Sequence, residues 1–136
     1  MPHAILAKPA PLTEAEWRIV RRHPVAGEQL LGPFVQSPEV LSIIRFHHER
    51  WDGRGYPDGR AQAEIPLAAR VVGTADAYEA MTEARPYRLA RSTEQALLEL
   101  DAHSGSQFDP DCARALGELI RDDAAKPAPG IRVAAE

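Results

Sequence analysis

Only one cysteine occurs in the chain, Cys112. A lone thiol excludes an internal disulfide and is compatible with a reducing compartment. Aromatic residues make up 6% of the 136 positions, so the core must be built mainly from aliphatic side chains. No apolar run is long enough to span a bilayer, because the most apolar stretch, 65–81, contains Arg70 and Asp76. The start, Met-Pro-His-Ala-Ile-Leu-Ala-Lys-Pro, has no long apolar segment of the kind a secretory leader needs. The expectation is a cytoplasmic protein with no membrane partner. A net charge of −4 leaves no basic surplus for DNA, although a local basic cluster can still hold a small phosphorylated ligand.

What is present reads as one globular domain. Apolar residues amount to 44% and charged residues to 26%, ordinary values for a folded chain of this size. Helix signals recur and no strand alternation holds up, so the expected class is all-α, a bundle of about five helices. Thr13 and Glu16 form a capping box that opens a helix to Leu31. That helix presents Trp17, Val20, Ala26 or Gly27, and Leu30 or Leu31 to a core, and Gly32-Pro33 stops it. Ser37-Pro38 starts a second helix, ending near His48, with Val40, Leu41, Ile43, Ile44 and Phe46 buried. Pro66 opens a third, roughly 67–81. Ser92 with Gln95 caps a fourth to Ala102, and Asp109-Pro110 starts a fifth, to about Arg121, in which Cys112 is a small buried residue. The expected division is a domain over 1–123 and a flexible tail over 124–136. The stretch from Trp51 through Pro66 contains three glycines and two prolines, and a loop this long inside a compact domain usually carries function.

The candidate chemistry lies in five places: His23, the pair His47-His48, the loop from Asp52 to Pro57, Asp76, and Arg85 with Arg88. Adjacent residues on a helix diverge by about 100°, so neighbouring imidazoles do not readily chelate one ion, but each can serve one of two ions. A packed ring and a helix-terminal cation are the plainer reading of such a pair. Asp76 sits in a segment otherwise fit for burial, where a carboxylate needs a cation, and Arg70, six residues back, faces another side of a helix. Three histidines and one aspartate on three helices suit iron, manganese or zinc. Arg85 and Arg88 share a face if their turn is helical, and arginine forks match phosphate oxygens.

The run from His47 to Pro57, His-His-Glu-Arg-Trp-Asp-Gly-Arg-Gly-Tyr-Pro, resembles the signature of the HD-GYP domain, a bacterial branch of the HD phosphohydrolases. The likeness extends through 65–70, Ala75-Asp76-Ala77-Tyr78, Arg85-Pro86-Tyr87-Arg88 and 105–110, and covers roughly residues 2–120. It implies a helical bundle and hydrolysis of cyclic di-GMP or a related dinucleotide. The implied cofactors are divalent ions, iron or manganese foremost, with zinc or magnesium as alternatives. By position, His23, His47, His48 and Asp76 match metal ligands of the family, and Arg85 and Arg88 match its phosphate-holding residues. Glu49, Asp52, Gly53, Gly55, Tyr56 and Pro57 belong to the signature loop, which shapes the site.

The resemblance also implies a name-giving His-Asp pair ahead of residue 2. Without those two ligands the expectation is weak or absent phosphodiesterase activity from these residues alone. The alternative is a catalytically silent module that binds cyclic di-GMP or a protein. Apolar faces left on the first and third helical segments would favour a homo-oligomer.

Overall fold

The computed structural model describes residue 8, residues 10–84 and residues 89–125. These form six α-helices and a short 3-10 turn at Gln62–Glu64. The helices are α1 (Glu14–Val20), α2 (His23–Leu31), α3 (Pro38–Phe46), α4 (Leu67–Thr82), α5 (Thr93–Ala102) and α6 (Pro110–Ala125). Among the described residues there is no strand, only an isolated bridge between Ser104 and Phe108, so the all-α expectation holds.

One expected helix is two. The segment 14–31 breaks at Arg21-Arg22, and the cause lies in the sequence. Pro24 has no N–H to give the carbonyl of Val20, four residues back, and its ring crowds that carbonyl. The chain turns there and restarts with Pro24 in the first turn of α2. The break re-aims the apolar side chains. Pro24 is buried, whereas α1 buries no residue, Trp17 is 38% exposed and Leu30 is 71% exposed. The predicted core positions Trp17, Leu30 and Leu31 are therefore on the outside.

The capping signals are used as expected. The N–H of Thr13 donates to the Glu16 carboxylate at 2.7 Å, and the N–H of Glu16 donates to the Thr13 hydroxyl at 3.3 Å. Ser92 and Gln95 repeat the arrangement on α5. Asp109 accepts the N–H of Asp111 at 2.8 Å and starts α6. That helix runs to Ala125, beyond the expected Arg121, and overlaps the start of the expected tail at 124. Residues 126–136 fall outside the described set.

Two small cores hold the bundle. Phe46, Ile65 and Ala69 join α3 to α4, and Met81, Ala96, Leu100, Phe108 and Ala113 join α4, α5 and α6. Helix α4 is thus the shared element, packed against α3 on one side and α5 and α6 on the other. Of the residues expected buried on α3, Phe46 is buried, Leu41, Ile43 and Ile44 are half-buried, and Val40 is exposed. Cys112 is half-buried on α6. Leu67, Val71 and Val72 of α4 and Leu119 of α6 face outward. No helix of the described residues is long and apolar enough to cross a membrane.

Candidate metal centre

The break in the first helix makes the first half of the site. The carbonyl of Val20, relieved of its helical partner by Pro24, accepts a hydrogen bond from Nδ1 of His23 at 2.7 Å. Across from it, α3 ends on His47, whose Nδ1 donates to the Ile44 carbonyl at 2.9 Å, with Ile43 at 3.2 Å. A proton held on Nδ1 leaves the lone pair on Nε2, the form in which an imidazole binds a metal. His48 follows where the helix has ended, so the two rings no longer diverge as they would on a helix. Their centroids are 4.1 Å apart, and those of His23 and His48 are 4.9 Å apart.

One ring nitrogen from each of His23, His47 and His48 lies within 4.8 Å of the others. Burial pushes the His48 imidazole down to about 4, aided by His47 and His23 and opposed by Asp76. At neutral pH that ring is uncharged and its lone pair is available. Three converging imidazoles, two of them with Nδ1 anchored on backbone carbonyls, fit a divalent transition ion, so the donor set suits the implied cofactor.

Asp76 lines the same cavity of about 410 Å³ as His47 and His48. It does not belong to the group of ligand atoms within 4.8 Å. It is also exposed rather than buried, a correction to the expectation from its apolar neighbours. Val72, one turn earlier on the same face of α4, is exposed as well, so this face of the helix lies open. Arg70 is not its partner, because that guanidinium pairs with the buried Asp109 and lies over the Trp51 ring. Arg85 and Arg88 lie outside the described residues.

The signature loop is pinned from both ends. Glu49 accepts the N–H groups of Asp58 at 2.7 Å and Gly59 at 3.0 Å, and its other oxygen is buried without a partner. Asp52 pairs with Arg50 at 2.7 Å and accepts the N–H of Arg54. The backbone N–H groups of Trp51 and Asp52 donate to the carbonyls of Gln107 and Ser106. Gly53 has φ of 76°. Gly55 passes so close to the chain after His48 that a methyl group there would stand 2.4 Å from the Arg50 nitrogen. This approach lets the Tyr56 N–H reach the His48 carbonyl at 3.2 Å and lays the Tyr56 ring on the His48 imidazole at 5.0 Å. Pro57 follows through a cis peptide bond.

Comparison with known proteins settles the ancestry. A family model described as "HD domain" matches residues 1–112. This chain belongs to the HD-domain family. Within it the HD-GYP branch is the one its relatives represent. It is 43% identical over 120 residues to the cyclic di-GMP phosphodiesterase response regulator RpfG of Xanthomonas campestris, covering 85% of this chain and 31% of that protein. It is 35% identical to a cyclic di-GMP phosphodiesterase of Thermotoga maritima, covering 90% of this chain and 34% of that protein. The HD domain described here thus spans about a third of the length of these curated relatives. Its fold is similar to that of the cyclic GMP-AMP specific phosphodiesterase V-cGAP3 of V. cholerae. That match has a TM-score of 0.66 and 20% identity, and it covers 89% of this chain and 32% of that one.

Two residues at the centre of this HD domain escape a reading of the sequence for chemistry. Trp17, placed in the core by periodicity, lines the cavity beside the histidines. Gly73 faces His47, and a methyl group at position 73 would stand 2.5 Å from the His47 carbonyl oxygen. The signal for Gly73 was available, since a glycine inside a helix costs about 1 kcal/mol and calls for a packing reason.

Proposed function

We propose that His23, His47 and His48 hold a divalent ion, iron or manganese foremost, and that the domain acts on the phosphodiester bond of a cyclic dinucleotide. The convergence of the three imidazoles carries this reading, and the phosphodiesterase names of the relatives support the substrate class. A bound divalent ion supplies Lewis-acid stabilisation of charge on a phosphoryl oxygen. His23 and His47 keep their Nδ1 protons on backbone carbonyls and orient Nε2, and His48 stays neutral under the Tyr56 ring. Asp76 supplies the carboxylate nearest in function, from the cavity wall, and Arg85 and Arg88 are assigned the substrate phosphates.

Three imidazoles suffice for one ion, whereas dinuclear phosphoryl chemistry needs bridging carboxylate. We therefore expect one ion per chain and weak turnover of cyclic di-GMP from these residues alone. Elemental analysis of protein purified without a metal-binding tag tests the ligands. His47→Ala and His48→Ala should each lower metal content at least tenfold, and unchanged content in both would sink the assignment. Fast turnover abolished by Asp76→Ala would instead replace weak activity with full activity. A silent binding module predicts the same metal content with no turnover at all.

Self-association belongs to the same proposal. Leu67, 60% exposed, and Leu119, 66% exposed, border an apolar groove of about 430 Å³ between α4 and α6. Light scattering should give a mass above 14.9 kDa, and a monomer at high concentration would exclude it.

A further inference from the structure

Beside the imidazole cluster, on the far side of Tyr56, lies a second cavity of about 390 Å³, with Arg21, Arg22, Ala26, Gln29, Tyr56 and Pro57 in its wall. Tyr56 belongs to both cavities. Its ring lies 5.0 Å from that of His48 and 6.5 Å from that of His23. A ligand that reaches from the imidazoles into the second cavity therefore passes over one aromatic side chain.

The two arginines set this cavity apart. Arg45, Arg50, Arg70 and Arg91 each hold a carboxylate. Arg21 and Arg22 hold none among the described residues. Arg21, in the wall of the second cavity, lies over the ring of Trp17, which lines the first, at 5.8 Å. Both arginines sit at the break ahead of Pro24 and line the same cavity, whereas an unbroken helix would carry adjacent residues about 100° apart.

The lining has the mixture a nucleotide needs. Ala26, Pro57 and the Tyr56 ring offer apolar surface for a base, while Arg21, Arg22 and Gln29 offer planar donors. Arginine forks bind phosphate oxygens and the O6 and N7 acceptors of guanine in pairs. We infer that this groove holds the purine nucleotide half of the substrate that lies away from the imidazole cluster, with Arg21 and Arg22 setting affinity for it. The inference rests on the cyclic-dinucleotide reading above and extends it by a subsite.

Direct binding separates the two. Cyclic di-GMP is titrated into the full chain by calorimetry, with manganese present and with chelator. Arg21→Ala/Arg22→Ala should weaken binding at least tenfold in both conditions, and Ala26→Trp, which fills the groove without touching charge, should do the same. Metal content should match the parent in both variants. Parent-like affinity in either variant overturns the inference, as does lack of any affinity in the parent protein. A tenfold loss accompanied by loss of metal also overturns it, since the arginines would then act through the centre. Tight, groove-dependent binding with no metal-dependent turnover leaves the subsite standing and removes the phosphodiesterase reading.

Discussion

The carbonyl oxygen of His47 is a steric stop for α4. It meets that helix at Gly73, the point where any larger residue collides with backbone. Gly73→Ala must part α3 from α4 or bend α4, and overpacking of this kind costs about 1–3 kcal/mol. Thermal unfolding should show that loss, and elemental analysis should show reduced metal, because His47 and Asp76 sit on the two sides of the contact. An equally stable variant with full metal content would mean that the contact has no role. His48 presents a different residue-scale lesson. Its ring is uncharged at neutral pH because it is buried among other imidazoles, so this position presents a lone pair and not a cation.

At the scale of elements, one proline does more than end a helix. Pro24 frees the Val20 carbonyl, and that carbonyl fixes the tautomer and aim of His23. Pro24→Ala restores an N–H that competes for the same oxygen. Outer partners of metal-binding histidines are worth about 10–100-fold in affinity, so metal affinity should fall about tenfold by competition titration while the helices remain intact by circular dichroism. The caps are simpler. Ser92→Ala removes the acceptor for the Gln95 N–H and should cost about 1 kcal/mol in denaturant unfolding. Caps and the class were legible in the chain because each depends on neighbours in sequence, whereas the three histidines stood out through the likeness of the 47–57 run to a known signature, and only the fold brings His23 to the other two. The exposure of Trp17 and Leu30 was not legible, since the turn at Arg21-Arg22 rotates the residues before it relative to those after it. Asp76 misled for a related reason: apolar neighbours on α4 mark a face, but they do not say whether another element covers it.

For the molecule as a whole, the ion pair between Arg70 and Asp109 ties α4 to the start of α6. Burial alone would raise the Asp109 carboxyl, but the Arg70 side chain and the N–H groups of Asp111 and Cys112 hold it below the ordinary 3.8. A folded value below the unfolded one means the pair contributes fully above about pH 5 and is lost as pH falls through the folded value. Asp109→Asn leaves Arg70 half-buried without its partner and should cost about 3 kcal/mol at neutral pH. Melting curves against pH should show the gap between variant and parent closing in acid, and a gap constant with pH would remove the pair from the stability of the fold. Leu100, fully buried between α5 and α6, should cost about 2–5 kcal/mol on truncation to alanine. Finally, the stretch after His48 folds back so tightly that Tyr56 both binds the backbone of that histidine and roofs its ring. Anyone transplanting this pair of imidazoles to the end of a helix in a designed scaffold would have to carry the whole loop from Glu49 to Gly59 with it, because the imidazole and its cover are cut from one piece of chain.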